Sequence, residues 1–219
     1  MLKKGICGVL AALVAAAFWS CGRRPAYVSV DGVMLGTTLH VAADVRGVSP
    51  QELYAAVMEL DREAKASMSI YDPASLLSRL NRNETDSVDS HIAFNLRLAD
   101  SIGSLSGGRY DVTVKPLVEA WGFAGKERVE RPNVDSILEF VGREKVRIEA
   151  GRLVKDDPRV QLDFNSVAKG YVVDCWRRWS KNTAPGIISS MSAARSAAGA
   201  STPGAMHGAS ASKPPSTAT

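Results

Sequence analysis

The stretch LDFNSVAKGYVVD, residues 162–174, constrains the fold of this chain more than any other. Apolar residues lead to Asp163, small polar residues follow at Asn165 and Ser166, and a helix-like run opens with Ala168-Lys169-Gly170. This order predicts a strand, a tight turn and a helix start, where unpaired backbone N–H groups attract anions. A lysine in the first turn adds a charge that suits phosphate. The stretch predicts a site for a negatively charged ligand, with an ordinary structural turn as the alternative.

The formal net charge of +4 is misleading, because residues 1–20 and 180–219 are basic and contain no Asp or Glu. Five of the 27 Lys and Arg residues lie there, and the remaining 22 stand against 23 acidic residues. Those five are Lys3, Lys4, Lys181, Arg195 and Lys213. The middle of the chain has no basic excess of the kind that binds nucleic acid, so we expect no nucleic-acid partner.

Residues 1–20 have the features of an export signal peptide, with a charged start and an apolar run over residues 8–19. The run is too short to span a bilayer comfortably. It ends at Ser20-Cys21-Gly22, which resembles a bacterial lipoprotein cleavage site. We expect cleavage before Cys21, lipidation of Cys21, and a linker over residues 21–27 that holds an exported fold at the periplasmic side of the membrane. A secretory signal cut elsewhere is the alternative.

Few residues fit the common catalytic or metal-binding patterns. Of the cysteines, Cys7 lies in the leader and Cys21 is the lipidation residue, so Cys175 remains alone and is expected to be a small buried apolar residue. The sequence pattern gives His40 and His91 no matching cysteine or carboxylate partner. No Ser-His-Asp order, HExxH or phosphate loop with GK[ST] occurs, so the catalytic residues stay unknown.

The segment from residue 28 to 179 reads as one compact α+β unit. Strands are expected at residues 27–30 and 37–43, and a hairpin joins residues 146–148 to 153–155. Three helices are expected, and they begin at the capping box Ser49-Pro50-Gln51-Glu52, at about Ile92 and at Asn133. In the third helix, Ile137, Leu138 and Val141 are expected to face inward. The run Trp121-Gly122-Phe123 favours a place in the core.

Two further segments could contact a ligand, although an ordinary turn is the simpler interpretation of each alone. The segment from Gly107 to Thr113 follows a predicted helix. Its glycines allow close backbone approach, and Tyr110 can stack on a flat ring. The segment from Met68 to Asn81 is a polar loop that contains one aromatic residue, Tyr71.

Taken together and in this order, the segments resemble those of the ApbE family, the bacterial FAD:protein FMN transferases. The matching motifs are GTT at Gly36–Thr38, MSIYDPASLLSRLN at Met68–Asn81, SGGRYDVTVKPLVEAWGF at Ser106–Phe123, and LDFNSVAKGYVVD. The resemblance covers about 150 residues without large gaps. Each motif is weak alone, and their order makes the resemblance specific. Leu35 stands where the family often has Met.

The resemblance implies an α+β fold with a mixed or antiparallel sheet and flanking helices. It also implies that FAD and Mg²⁺ bind, that a threonine hydroxyl of a target flavoprotein attacks the FAD pyrophosphate, and that AMP leaves. By the same resemblance, Tyr71 and the turn Arg109-Tyr110-Asp111 would contact FAD. Asp163, Asn165, Lys169 and Tyr171 would line the flavin–phosphate side. The backbone carbonyl of Ala168 would be one Mg²⁺ ligand.

The composition changes abruptly near Trp179. Residues 175–219 contain no Asp or Glu, and from residue 180 about three quarters are Ala, Ser, Gly, Pro or Thr. Such a composition cannot bury a core, so residues 180–219 are expected to be disordered. A natural flexible tail is one interpretation. Loss of the reading frame near codon 180 is the other, and it would leave the ApbE-like fold incomplete at its C-terminus.

The amino-acid sequence allows a test of that second interpretation. One choice of codons for residues 187–196, read two bases later, gives YLVDVGGEI. Continuing through residue 215 permits RGRGVNPRGDAWRIGIEAP, which resembles the next segment of the family closely. By the resemblance, the carboxylate and threonine ligands of Mg²⁺ would lie in the lost half. We therefore expect the chain as written to be unstable or inactive.

Two other functions remain open at this point. One is an exported lipoprotein that binds FAD without transferring it. The other is a structural exported lipoprotein without a ligand, which would show no FAD-induced thermal shift.

Overall fold

The computed structural model describes residues 27–44, 48–183 and 189–194. The predicted signal peptide and the lipidation residue Cys21 lie outside the described residues, so those expectations stay predictions. In chain order the elements are β1 (Tyr27–Met34), β2 (Thr37–Asp44), α1 (Pro50–Met68), α2 (Leu76–Asn81), α3 (Ser90–Leu105), α4 (Lys115–Ala120), α5 (Val134–Leu138), a 3-10 turn (Arg143–Lys145), β3 (Val146–Glu149), β4 (Arg152–Lys155), α6 (Ala168–Thr183) and β5 (Ser189–Ala194).

Two antiparallel sheets are described. One has the strand order β1-β2-β5, and the other is the predicted hairpin of β3 and β4. This arrangement confirms the expected α+β class, and the described strand pairs of both sheets are antiparallel. Helix α6 ends at Thr183 and β5 pairs with β2, so both reach into the segment that composition predicted to be disordered.

The core lies where α1 packs against β1, α2, α3 and α6. Helix α1 contributes Leu53, Val57, Ala64 and Met68 to it. The helix starts at the predicted capping box, which is confirmed. Its Ser49 Oγ accepts the Glu52 amide at 3.2 Å, and Glu52 Oε2 accepts the Ser49 amide at 2.7 Å. Helix α6 adds the buried indole of Trp176.

Three expectations about burial and pairing are wrong. Helix α5 is one short surface turn, so it buries none of its residues, and Leu138 is exposed. Trp121 and Phe123 lie in a surface loop and are exposed too. His40 has a carboxylate partner, because the β1–β2 register places it opposite Asp31. Its Nδ1 lies 2.7 Å from Asp31 Oδ1.

Among the described helices, none is both long and apolar enough to cross a membrane.

Candidate functional site

The turn that leads into α6 forms as its sequence predicts. Asp163 Oδ1 accepts the Asn165 amide at 2.7 Å, which closes a tight Asx turn. The Phe164 carbonyl then accepts the amides of Val167 and Ala168, at 3.0 and 2.8 Å. The expected strand before the turn is shorter than predicted. It consists of an isolated parallel bridge between Val114 and Gln161, and of a bond from the Asp163 amide to the Val112 carbonyl at 2.8 Å.

The start of α6 presents open hydrogen-bond donors. Within the described part of the chain, the amides of Ser166, Lys169 and Gly170 donate no hydrogen bond to backbone or side-chain acceptors. All three residues are exposed, and the Lys169 side chain belongs to the same turn. The positive end of the helix dipole adds to these donors. This turn therefore has the donors and the charge to hold an anionic group.

Two cavities flank this turn and meet at Asn165. The first, called the Lys169 cavity, has a volume of about 270 Å³, and its lining includes Leu35, Lys65, Tyr71, Asn165, Ala168 and Lys169. The second, called the Tyr110 cavity, has a volume of about 540 Å³, and its lining includes Arg109, Tyr110, Asp111, Asp163, Asn165 and Ser166. Together they are large enough for a dinucleotide.

These two cavities gather almost all of the residues that the sequence pointed to. Tyr71, Asn165, Ala168 and Lys169 line the first, and Arg109, Tyr110, Asp111, Asp163 and Asn165 line the second. The segments that carry them are far apart in sequence. From the sequence, an ordinary turn was the simpler interpretation of each segment alone. The fold brings these segments together.

Tyr110 joins the two walls of its cavity. Its hydroxyl lies 2.7 Å from Ser166 Oγ, which belongs to the turn before α6. Burial raises the pKa of Tyr110 above its ordinary value, the bond to Ser166 opposes this, and the charges of Asp163 and Asp111 raise the pKa further. The phenol is therefore neutral at physiological pH and keeps its proton for a hydrogen bond.

The carboxylate of Asp111 is engaged within the protein. Oδ1 accepts the Thr113 amide and the Thr113 hydroxyl, both at 2.7 Å, and Oδ2 accepts the Arg143 amide at 2.8 Å. Thr113 Oγ1 in turn accepts the Gly142 amide at 2.7 Å. Asp111 thus fixes the turn that carries Arg109 and Tyr110.

Tyr171 is not brought to the cavities with the others. Its ring is buried against α3, with the Phe94 ring centroid 4.8 Å away, and its hydroxyl lies 2.9 Å from His91 Nδ1. The reason is the helix period, because Tyr171 follows Lys169 by two residues and faces the opposite side of α6. On the same helix, Cys175 is half-buried, and its sulfur accepts a hydrogen bond from Arg178 at 3.2 Å.

Sequence reasoning missed two side chains that position the site. Asn81 Nδ2 donates to the Leu162 carbonyl at 2.9 Å, and Asn81 Oδ1 accepts the Leu162 amide at 2.7 Å. This buried pair fixes the residue next to Asp163. On α1, Asp61 Oδ1 accepts the Leu35 amide at 2.9 Å, and Leu35 has a positive φ of 47° at the tip of the β1–β2 turn. A bulky residue rarely adopts that backbone conformation.

The oxygen atoms available for a cation are mainly backbone carbonyls. The described residues contain no group of three or more His, Cys, Asp or Glu side chains placed to bind a metal. Ala168 is the first residue of α6, where a carbonyl normally accepts the amide four residues on. In the turn before it, the carbonyls of Asn165 and Ser166 accept no backbone hydrogen bond within the described residues.

Comparison with known proteins points to the ApbE family. The model of the ApbE family matches residues 35–190. The chain is 31% identical to a FAD:protein FMN transferase of Haemophilus influenzae over 188 residues, which are 79% of this chain and 54% of that protein. It is 31% identical to a FAD:protein FMN transferase of Vibrio cholerae over 163 residues, 70% of this chain and 49% of that protein. The chain thus spans about half the length of the curated relatives it matches.

Solved structures share the fold. The flavin transferase ApbE from Vibrio cholerae superposes with a TM-score of 0.67 at 29% identity, over 72% of this chain and 54% of that chain. The apo flavinyl transferase ApbE of Pseudomonas stutzeri has a TM-score of 0.70 at 24% identity, over 77% of this chain and 59% of that chain, and shows the fold alone. The chain belongs to the ApbE family.

Proposed function

We propose that this chain is part of an enzyme that transfers FMN from FAD to a threonine hydroxyl of a target flavoprotein and releases AMP. The observation that carries the proposal is the pair of cavities that meet at Asn165, beside the open amides and the lysine of the α6 turn. The names of the curated relatives support the transfer of FMN from FAD to a protein.

In this reaction the threonine oxygen attacks the phosphorus on the FMN side of the pyrophosphate. A new P–O bond forms, the bond to the AMP oxygen breaks, and the hydroxyl proton leaves. The work of the protein is to align the groups and to neutralise charge. In this chain the amides of Ser166, Lys169 and Gly170 and the Lys169 ammonium would hold the phosphates.

The aromatic side chains suit the two ring systems of FAD. Tyr71 exposes 64% of its surface in the wall of the Lys169 cavity, so its ring is free to stack. The neutral phenol of Tyr110 can donate a hydrogen bond in the second cavity. Asp163 and Arg109 add polar contacts there. These roles for Tyr71, Arg109, Tyr110 and Asp163 follow from the family resemblance and from their place in the cavities.

Magnesium would neutralise the pyrophosphate charge when it is bound. The described residues fit Mg²⁺ only in part, because the ion takes near-octahedral oxygen ligands, often carboxylates, and no such cluster is described. Backbone carbonyls of the turn from Asn165 to Ala168 would supply a minority of the ligands. The parts of the chain outside the structure contain no Asp or Glu, so carboxylate ligands would have to come from a segment that this sequence does not carry.

Loss of the reading frame near codon 180 would account for that gap, and we propose it as the origin of residues 180–219. Strand β5, Ser189–Ala194, falls within the codons whose shifted reading is YLVDVGGEI. The apolar and β-branched residues of the shifted reading are typical of a buried strand, whereas SSMSAA is not. Sequencing of the genomic DNA tests this directly, because a shifted frame that soon meets stop codons would exclude it.

The cellular setting is also part of the proposal. The signal-like residues 1–20 and the lipid anchor at Cys21 would hold the enzyme at the periplasmic side of a bacterial membrane, where it would meet exported target flavoproteins. Labelling of cells with a radioactive fatty acid tests the anchor, and a Cys21→Ser variant that is labelled equally well would contradict it.

The main alternative is an exported protein that binds FAD without transferring FMN, and the absence of a described carboxylate cluster favours it for this chain as written. Titration with FAD, with and without Mg²⁺ and a threonine-bearing target protein, separates the two. Flavin that stays with the target after denaturation supports transfer. A frame-restored chain that neither binds FAD nor labels the target would exclude both functions.

A further inference from the structure

A second lysine, Lys65, lines the Lys169 cavity. It belongs to the last turn of α1, whereas Lys169 belongs to the first turn of α6, and these two helices pack against each other. Lys65 is not among the residues that line the Tyr110 cavity. The Lys169 cavity therefore receives a lysine side chain from each of two helices that lie far apart in sequence.

A buried carboxylate holds the ammonium of Lys65 in place. Lys65 Nζ donates to Asp61 Oδ2 at 2.6 Å, and Asp61 lies one turn earlier on the same helix. The Asp61 side chain is 10% exposed, and its other oxygen accepts the Leu35 amide at 2.9 Å. Asp61 therefore connects Lys65 to the β1–β2 turn, which lines the same cavity through Leu35 and Gly36.

The contact with Asp61 leaves the ammonium of Lys65 available to a ligand. An ammonium group carries more N–H donors than one hydrogen bond uses, and among the described residues this one donates to Asp61 alone. The Lys65 side chain is 47% exposed, whereas the Asp61 side chain behind it is buried and is not part of the cavity lining. An anionic ligand in the cavity can therefore accept the remaining donors without breaking the ion pair.

The charged groups in the lining suit an anion. Among the described residues that line the cavity, Lys65 and Lys169 stand against a single carboxylate, that of Asp72. Asp72 Oδ1 accepts the Ala74 amide at 2.8 Å and, within the described part of the chain, Asp72 pairs with neither lysine. Lys169 likewise forms no ion pair with any described residue. In a partly enclosed space these ammonium groups attract an anion more strongly than they would in open water.

A pyrophosphate diester fits this arrangement. Each of its phosphates carries a negative charge at neutral pH and accepts hydrogen bonds from ammonium groups and from backbone amides. The α6 turn offers its open amides and Lys169, and α1 offers Lys65 on another wall of the same cavity. Because a lysine acts as a compact point charge, cations on different walls can each hold one phosphate.

We propose that Lys65 binds the pyrophosphate of FAD from the side of α1, while Lys169 and the turn amides bind it from the side of α6. This inference rests on the proposed function. Asp61 orients the ammonium of Lys65 for that contact. The competing role for Lys65 is purely structural, because a cation in the last turn of a helix also stabilises the helix dipole.

The test is isothermal titration of the full chain, without Mg²⁺, with FAD, with inorganic pyrophosphate, and with riboflavin, which has no phosphate. We expect Lys65→Met to raise the Kd for FAD and for pyrophosphate about tenfold and to leave the Kd for riboflavin unchanged. Lys65→Arg keeps the charge and should retain most of the affinity. Arg62→Met is the matched control, because it also removes a cation and an ion pair from α1, and Arg62 does not line the cavity.

The Kd for FAD should also depend less steeply on salt concentration in Lys65→Met, since fewer cations contact the phosphates. Equal Kd values for FAD and for pyrophosphate in Lys65→Met and Arg62→Met would overturn the inference. A riboflavin affinity that falls as much as the FAD affinity would overturn it too, because it would show a structural role. If no protein binds FAD, the proposed function fails, while pyrophosphate still decides whether Lys65 binds phosphate groups. An unaltered chain that does not bind pyrophosphate either would refute both.

Discussion

Asn81 supports the site although it lines neither the Lys169 cavity nor the Tyr110 cavity. Its amide replaces the strand partner that Leu162 lacks, with bonds of 2.9 and 2.7 Å. Both groups are buried, so removing the amide leaves a backbone donor and a backbone acceptor unpaired.

We expect Asn81→Ala to lower the free energy of unfolding by about 2–4 kcal/mol, measured by urea denaturation. Asn182→Ala, an exposed asparagine of α6, is the matched control and should change it by no more than about 0.5 kcal/mol. Equal stabilities of the two variants would mean that the Leu162 backbone finds other partners.

At the residue scale, the sequence indicated residues that line the two cavities better than it indicated the residues that support them. Lys169, Asn165 and Tyr110 were selected because a phosphate-like site calls for lysine, turn amides and an aromatic ring, and all three line the cavities. Asn81 and Asp61 were missed because each acts on a backbone amide far away in sequence, and no spacing rule reveals such a partner. Tyr171 was grouped with Lys169 by the family resemblance, but the helix period turns its side chain to the opposite side of α6.

At the scale of elements, the β1–β2 turn is held under strain beside the Lys169 cavity. Leu35 has φ of 47°, a conformation that costs a non-glycine residue on the order of 1–2 kcal/mol. The buried carboxylate of Asp61 offsets this cost by accepting the Leu35 amide, and it also accepts a bond from Lys65 at 2.6 Å. Helix α1 thus fixes the turn that forms one wall of the Lys169 cavity.

Two substitutions of Asp61 separate its hydrogen bond to the Leu35 amide from its ion pair with Lys65. Asp61→Ala removes both contacts, and we expect the Kd for FAD to rise about tenfold. Asp61→Asn keeps an oxygen for the Leu35 amide, so it should retain most of the affinity. Isothermal titration with FAD measures both. If the two variants bind FAD equally weakly, the hydrogen bond to the Leu35 amide has no part in ligand binding, and the ion pair with Lys65 is what matters.

The β3–β4 hairpin and α2 are joined by a lysine that should make stability depend on pH. Lys155 Nζ donates to the Leu80 carbonyl at 2.7 Å and to Asn83 Oδ1 at 2.9 Å. Burial lowers the pKa of Lys155 from its ordinary 10.5 to about 8. Between these values the unfolded chain binds more protons than the folded one, so stability rises with pH in that window.

We therefore expect the free energy of unfolding of the unaltered chain, relative to Lys155→Met, to increase from about pH 7.5 to about pH 10. The increase is partial, since the side chain still reaches solvent. Urea denaturation at several pH values measures it, with Lys181→Met as a control that shows no such trend. A relative stability that is flat or falls over this range would mean that the ammonium is not desolvated.

For the molecule as a whole, local patterns predicted the class and most elements. The strands β1 and β2, the capping box of α1, the helix α3 and the β3–β4 hairpin were predicted because period, caps and turn residues agree there. Helices α2 and α4 were not predicted, since six residues are too few for a helical period to stand out. Trp121 and Phe123 were expected in the core but are exposed, because their loop lies at the surface. The residue types alone do not reveal the position of a loop.

The last prediction concerns the junction between α6 and β5, where the as-written strand SSMSAA pairs with β2. A chain that carries the shifted reading from codon 180 would place YLVDVGGEI there. Two or three more buried apolar side chains would contribute about 1.5–3 kcal/mol each. We expect Tm, measured by differential scanning calorimetry, to rise by on the order of 10 °C.

A permuted control keeps the same length and composition in that strand but scrambles its order, which breaks the alternation of buried and exposed side chains. It should recover little of the gain. FAD should raise Tm further in the frame-restored chain, because ligand binding to the folded state alone adds stability. A restored chain no more stable than the permuted one would mean that Ser189–Ala194 is the native strand, and that the acid-free tail belongs to the protein as it is encoded.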